Sequence, residues 1–361
     1  MEDNNCKHKR VLFFTQAGVG GAERITVLIA KMLDKSKFDV EFVVIPKGNV
    51  SNSIVNFIPE GYKITLLKED SPLGIIRQLH KCVMQRKPDI VFSSVFYINN
   101  KLLLLRGLFP KTKFIIRCEN YFYTFNKKQQ YMLRFIYRMA DKIIGQTKEM
   151  SQELLDIGIN PAKVVTLENP IDEPSIKNKL QNDKENPFPQ DGRKHFLASG
   201  RFAYQKGFDL LVEAFAEFCK SNQNADLYII GNISGDNESE YKRVMQVAQE
   251  RNIINRVFCV GFQNNPYNWM LHADCFVLSS RWEGLPNVLV EALYLGTPVA
   301  AFKCIPIIER IVDEQHTGYL AEKEDIHSLA LAMNQAVQLG RVVSTYQGAQ
   351  PEDFIKLFEE P

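Results

Sequence analysis

Short apolar runs that end in glycine turns and pass into helical periodicity recur along this chain, and few folds accept such punctuation. From Arg10 the sequence reads Val-Leu-Phe-Phe-Thr, then Gly18-Val19-Gly20-Gly21, then a helical pattern through Leu28, Ile29, Met32 and Leu33. The order is strand, turn, helix. Further apolar runs lie at 40–45, 64–67, 90–93 and 114–117, with a helical pattern over 73–86. Strands that are apolar throughout are buried on both faces, so the pattern predicts a parallel, doubly wound sheet.

Residues 170–194 break the rhythm with four prolines, many Asn, Lys, Asp and Glu, and few apolar side chains. The pattern then restarts, with strands at 196–199, 227–231 and 257–260 and helices over 207–219 and 238–251. A chain of 361 residues suits two cores rather than one. The expected organisation is therefore two Rossmann-like α/β domains facing a cleft: 1–172, a linker at 173–194, and 195–345, with a terminal helix at 351–361 returning to the first domain. In open α/β sheets ligands bind outside the carboxyl ends of the strands. The turns that follow strands are where chemistry is expected.

Composition narrows the class. An apolar share of 45% and a charged share of 24% are those of a globular chain, not a disordered or fibrous one. No apolar stretch reaches the length of a membrane span, since the run at 102–105 is stopped by Arg106. No signal peptide is read in the polar first ten residues, and a cytoplasmic location is expected. Seven cysteines at wide spacings, several inside apolar runs, read as buried thiols. The net charge of +2 conceals +9 over 1–172 and −7 over the remainder. The basic half suits an anionic partner such as lipid head groups or a phosphorylated acceptor; no nucleic-acid partner is expected.

Four segments carry candidate chemistry. Ser279-Ser280-Arg281-Trp282-Glu283-Gly284-Leu285-Pro286-Asn287 follows an apolar strand and opens a helix containing Glu291. Pro286 fits the first turn of that helix. A loop carboxylate at Glu283 can accept from sugar hydroxyls, Glu291 can grip a ribose diol, and the free N–H groups of the helix start attract a diphosphate. In Gly200-Arg201-Phe-Ala-Tyr-Gln-Lys206-Gly207, two cations around a strand-to-helix loop can neutralise charge developing on a leaving nucleotide. The turn Gly18-Val19-Gly20-Gly21-Ala22-Glu23 lets a substrate approach the backbone of Gly20 and Gly21, but it departs from a dinucleotide fingerprint at Glu23. Finally, Lys127, Tyr131, Arg134, Arg138 and Lys142 fall on one helical face. With Lys128 and the aromatics at 121–125 they form a stripe that suits an anionic membrane. The alternative is an ordinary amphipathic helix with Met132, Phe135, Ile136 and Met139 as core.

Taken together, Gly20-Gly21-Ala22-Glu23, Gly200-Arg201, Lys206-Gly207, Ser280 to Ala292 and Gly296-Thr297-Pro298-Val299 resemble the retaining glycosyltransferases of the GT-B fold, the glycosyl transferases group 1. The resemblance covers nearly the whole chain. It implies that the paired glutamates of the family fall on Glu283 and Glu291 and its phosphate-binding cations on Arg201 and Lys206. Donor binding would involve Gly20, Gly21, Arg201, Lys206, Gly261, Phe262, Glu283, Gly284, Leu285, Pro286, Asn287 and Glu291, with Glu283, Arg201 and Lys206 catalytic. It implies transfer, with retention, from a nucleotide-diphosphate sugar, a UDP-sugar being favoured, to a glycan or lipid-linked acceptor of cell-envelope polysaccharide synthesis. No metal or other cofactor is expected, the nucleotide sugar being a co-substrate. Peripheral contact with the inner face of the cytoplasmic membrane would run through Lys127, Lys128, Arg134 and Arg138. The chain departs from the family at the acceptor-side residues Glu119 and Asn120, where many members carry a histidine facing the reacting sugar, and at Lys303 to Ile307, where a glycine-rich loop is usual. A non-catalytic scaffold and a nicotinamide oxidoreductase are the other readings.

Overall fold

The structure, a computed structural model, describes residues 8–18, 20–46, 53–183, 185–233 and 235–360. Val19 of the glycine turn and Cys6 lie outside the described residues. The chain forms two compact units, residues 1–170 with 347–361, and residues 171–346.

The first unit is built on seven strands: β1 (Lys9–Gln16), β2 (Phe38–Ile45), β3 (Lys63–Leu66), β4 (Ile90–Ser93), β5 (Lys113–Arg117), β6 (Lys142–Gly145) and β7 (Val164–Thr166). They lie in the order β3-β2-β1-β4-β5-β6-β7 and pair in parallel. The second unit holds β8 (Lys194–Ser199), β9 (Ala225–Ile230), β10 (Val257–Gly261), β11 (Cys275–Leu278), β12 (Val299–Phe302) and β13 (Gly318–Ala321), ordered β10-β9-β8-β11-β12-β13, again parallel. In each unit the chain winds outward from the first strand, then jumps back to its other side. The order thus reverses at β1/β4 and at β8/β11, and loops that leave neighbouring strands there diverge onto opposite faces. The Gly18 turn follows β1, the Gly200 loop follows β8, and the Glu283 loop follows β11.

Both faces of the first sheet are covered, which is why its central strands tolerate no polar alternation. Leu79, Leu102, Leu103 and Leu133, from the helices Pro72–Arg86, Phe96–Leu105 and Lys127–Ile136, pack on one face. On the other, the helix Gly21–Met32 is joined by the helix Pro351–Glu359, whose Phe354, Leu357 and Phe358 are buried with Phe13, Phe42 and Phe92. The ring of Phe358 lies 5.7 Å from Phe13 and 5.6 Å from Phe92. Lys9 donates to the carbonyls of Phe358 and Glu359, at 3.2 and 2.8 Å. At the carboxyl ends of β8 and β9 the strands approach so closely that a Cβ on Gly231 would stand 1.7 Å from the carbonyl oxygen of Gly200. Only glycine fits there.

Two expectations need correction. The polar stretch 173–194 is not an open linker: it carries the helix Glu173–Asn182, capped by Asp172 and belonging to the second unit. Lys179 donates to the carbonyl of Asn264 at 2.6 Å. The composition misled because this helix buries little apolar surface, Ile176 being its buried side chain. The helix from Lys127 also stops at Ile136, followed by a short 3-10 turn at Tyr137–Met139. Lys142 therefore leaves the proposed stripe and sits on β6, paired with Glu360 at 3.1 Å. Among the described residues no helix is long and apolar enough to cross a membrane.

Truncating Phe358 to Ala is expected to lower the stability of the first unit by about 3–5 kcal/mol, the range for deleting a buried aromatic ring. A denaturant titration checks this through an earlier transition for that unit and an unshifted one for residues 171–346.

Candidate functional site

The second unit brings the loops after β8 and β11 together. After Ser199 the backbone makes a short turn at Tyr204–Lys206, then Gly207 adopts a left-handed conformation, φ +60°, before the helix Phe208–Cys219 begins. A Cβ at Gly207 would meet the carbonyl oxygen of Ser279 at 2.2 Å, so glycine is required by both conformation and space. Ser279 Oγ in turn donates to the carbonyl of Lys206 at 3.0 Å, the amide of Arg281 to that of Gln205 at 2.8 Å, and Gln205 Nε2 to that of Trp282 at 2.9 Å. Two loops more than seventy residues apart are stitched by one backbone–backbone and two side-chain–backbone bonds.

At their junction Lys206 Nζ stands 2.6 Å from Glu283 Oε1, and the same oxygen accepts from Ser280 Oγ at 2.6 Å. Both side chains are largely buried, 16% and 8% exposed. The predicted phosphate-binding cation and the predicted sugar-binding carboxylate are therefore partners of each other. A buried ion pair needs satisfied geometry to persist; the serine hydroxyl supplies one further bond and leaves the second carboxylate oxygen for other donors. Arg201 lies exposed in the first of these loops. Leu285 is buried, 7% exposed, and Gly284 and Pro286 are buried beside it. Pro286 is the residue that caps the helix, which starts at Asn287, so it stands one position earlier than predicted. Glu291 is partly buried, and Tyr267 Oη donates to its Oε1 at 3.4 Å. Gly261 ends β10 at φ +78° with open space where a Cβ would be, and Phe262 beside it is 39% exposed, a platform on which a flat ring can stack.

Arg281 is the tie between these loops that sequence reasoning passed over. Its guanidinium donates to both oxygens of Asp209, at 2.9 and 2.7 Å, and to the carbonyl of Tyr204 at 2.7 Å. It lies 3.9 Å from the centre of the Tyr204 ring, and Arg243 reaches Asp209 at 2.8 Å from the other side. Burial pushes the Asp209 carboxyl up, but the hydrogen bonds and charge of Arg281, the charge of Arg243 and the Leu210 amide together outweigh it and hold the group below its ordinary range. This planar, two-pronged grip is one that lysine could not reproduce. The signal was present in the neighbouring motif, but an arginine inside a loop and an acid in the first turn of a helix each have an ordinary reading.

The loop 303–307 lies close by, and burial pushes the Cys304 thiol up to about 12, with Glu283 adding to the rise. Lys303 pairs with Glu322. Among the described residues, Asp191, His195 and Asp226 could bring metal ligands within 4.8 Å, but Arg193 occupies both oxygens of Asp226 at 2.7 and 2.9 Å. A cation already fills that position.

In the first unit Glu23 folds back over the glycine turn. It is 4% exposed, accepts from Gln16 Nε2 at 2.5 Å, and its Oε2 would lie 2.5 Å from a Cβ on Gly20. A carboxylate at that helix start repels a dinucleotide pyrophosphate, which speaks against the oxidoreductase reading. Arg117 at the end of β5 is fully buried and donates to Asn169 Oδ1; burial lowers its pKa to about 10. Glu119, expected to face a reacting sugar, accepts the Phe96 amide at 3.1 Å, at the start of the helix Phe96–Leu105. With Asn120 it lines a pocket whose other walls include Phe96, Cys118, Phe125 and Tyr137.

The glycosyl transferases group 1 family matches residues 180–348, and glycosyltransferase family 4 matches residues 19–173. An uncharacterised glycosyltransferase of Methanocaldococcus jannaschii is 30% identical over 76% of this chain and 71% of its own length. The chain belongs to the group 1 glycosyltransferases. This glycosyltransferase is also 24% identical, over 93% of the chain and 92% of the relative, to the N-acetylgalactosamine-N,N'-diacetylbacillosaminyl-diphospho-undecaprenol 4-alpha-N-acetylgalactosaminyltransferase of Campylobacter jejuni. Among solved structures, HepE of Anabaena in complex with UDP-glucose superposes with a TM-score of 0.74 over 97% of this chain and 98% of that one, at 17% identity. The fold is GT-B.

Replacing Asp209 by Ala leaves the Arg281 guanidinium buried without its main partner and is expected to cost about 3–5 kcal/mol, read by chemical denaturation. Asp209→Asn is milder and pH-sensitive. Because the folded carboxyl titrates below its unfolded value, the pair contributes above the ordinary carboxylate range, and this is lost as pH falls through the folded value. The gap in melting temperature between wild type and Asp209→Asn is therefore expected to narrow on acidification below about pH 4.

Proposed function

We propose that this glycosyltransferase moves a sugar from a UDP-sugar to a hydroxyl of a lipid-linked glycan acceptor in cell-envelope polysaccharide synthesis, without a metal and with retention of anomeric configuration. The observation that carries the reading is the Lys206–Glu283 pair, held at the carboxyl ends of β8 and β11 by Ser280. A diphosphate competes for the ammonium with two adjacent charges where Glu283 offers one. Donor binding would therefore draw Lys206 and the exposed Arg201 onto phosphate and release Glu283 to accept from sugar hydroxyls. Glu291, at the same helix, is left for the ribose and Phe262 for the base. The two cations then stabilise the charge that grows on the leaving nucleotide.

The support for donor and acceptor class comes from relatives: HepE was solved with UDP-glucose, and the Campylobacter enzyme is named for a diphospho-undecaprenol acceptor. For retention, the leaving phosphate oxygen takes the acceptor proton on the face it departs from. The acceptor would place the enzyme at the inner face of the cytoplasmic membrane.

A panel of nucleotide sugars in a thermal-shift assay is expected to single out a UDP-sugar, since a ligand at one hundred times its Kd stabilises by about 2.7 kcal/mol. With that donor, Lys206→Ala and Glu283→Gln are each expected to lower kcat/KM by roughly 10²-fold or more, equivalent to about 2.7 kcal/mol. An NMR assignment of an inverted product would remove the retention, and a flat thermal response to every donor would remove the reading itself.

A further inference from the structure

The helices Pro72–Arg86, Phe96–Leu105 and Lys127–Ile136, which cover one face of the first unit's sheet, contain no acidic residue. Over residues 71–140 there are 13 Lys and Arg against two acids, Asp89 and Glu119. Both of those are engaged with backbone: Asp89 accepts from the Arg10 amide at 2.7 Å and Glu119 from the Phe96 amide at 3.1 Å. The basic character of the first half of the chain is thus concentrated in this one layer.

The same layer is unusually apolar on its outer side. On the helix Lys127–Ile136 the side chains buried in the core are Leu133 and Ile136, whereas Tyr131 is 68% exposed, Phe135 50% and Met132 42%. Met139, just beyond, is 38% exposed. The reading in which Met132, Phe135 and Met139 form core is excluded by these values. Tyr131 and Phe135 pack edge to face, ring centres 5.0 Å apart, and stand among Lys127, Lys128, Arg134 and Arg138, all exposed. The helix Phe96–Leu105 packs alongside. It and the turn after it expose Tyr97, Leu104 at 52% and Leu108 at 62%. The opposite layer, helices Gly21–Met32 and Pro351–Glu359, exposes no large apolar side chain among its described residues.

We propose that this layer of the first unit docks on an anionic phospholipid bilayer, with Tyr131, Phe135, Leu104 and Leu108 entering the interface and Lys127, Lys128, Arg134 and Arg138 meeting the head groups. Aromatic rings with a polar rim favour the head-group level, and cations on long stems reach outward while their stems stay apolar. Neither alternative occupant satisfies both halves of the surface. A nucleic acid would reward the cations and leave Leu104, Leu108 and Met132 in water. A second copy of the chain would bury the apolar groups while bringing two strongly basic layers together. The proposal stands on exposure and charge, and does not depend on which sugar is transferred.

The test is co-sedimentation of the full chain with vesicles of phosphatidylcholine, with and without phosphatidylglycerol. Binding is expected only with the anionic lipid and is expected to weaken as salt rises. Tyr131→Ser with Phe135→Ser, and separately Lys127→Glu with Lys128→Glu, are each expected to reduce the bound fraction at least tenfold in apparent affinity, a loss of about 1.4 kcal/mol. All four positions are exposed, and an unchanged melting temperature verifies that the variants fold. Equal binding to neutral and anionic vesicles, or wild-type binding by either variant, would overturn the proposal. So would a concentration-dependent dimer abolished by the aromatic pair, or binding to a DNA duplex that only the charge pair disrupts. The thermal response to nucleotide sugars is expected to be the same in every variant, so failure here leaves the transferase reading untouched.

Discussion

The grip of Arg281 on Asp209 is the interaction on which the rest of the second unit's loop arrangement depends. Lys206 and Glu283 reach one another only because the loops after β8 and β11 are fixed at the spacing of hydrogen-bonded partners, and parallel strands do nothing to enforce this beyond their own ends. Arg281 belongs to one loop and binds the helix that follows the other, through Asp209 and the carbonyl of Tyr204. Its two-pronged geometry sets distance and orientation at once. Gly207 permits the approach by presenting no side chain to the Ser279 carbonyl. A buried charge pair is best mounted on a frame that fixes both of its partners.

Much of the fold could be read from residue order because doubly wound sheets write themselves plainly: apolar strands, glycine turns and helices in strict alternation. The central strands β1, β2, β4 and β5 and their counterparts β8 and β9 came through within a residue or two at either end. The edge strands β3 and β10 came through equally well. β7, β12 and β13 did not: each is a run of three or four residues specified by pairing with a neighbour rather than by its own pattern. The helix at Glu173–Asn182 was hidden for a related reason. It lies on the surface, so the apolar periodicity that announces a helix is reduced to one buried side chain, Ile176.

The site was legible as a set of residue types and not as a set of partnerships. Glu283, Lys206 and Arg201 could be picked out because charged groups in strand-to-helix loops have few structural duties. What their neighbours do could not be. Nothing in the order of residues says that Lys206 is spent on Glu283, that Glu23 closes over Gly20, or that Glu119 caps a helix at Phe96 instead of facing outward. Each is a contact between segments well separated along the chain or a rotamer chosen by packing. The basic stripe shows the reverse case. Its charges were plain in the sequence, and its exposed aromatics could be told from core only once Leu133 and Ile136 were seen to satisfy the interior alone.

The helix Pro351–Glu359 completes the first unit from the far end of the chain. During synthesis the strands β1 to β7 leave the ribosome first, but the sheet face holding Phe13 and Phe92 stays without the ring of Phe358 until residues 351–359 appear. The second unit, contiguous over 171–346, can close as soon as it has emerged. Birth order and completion order are therefore inverted, and the unit translated first is the last to become native. Until residues 351–359 emerge, its aromatic face holding Phe13 and Phe92 lies open for a chaperone to cover.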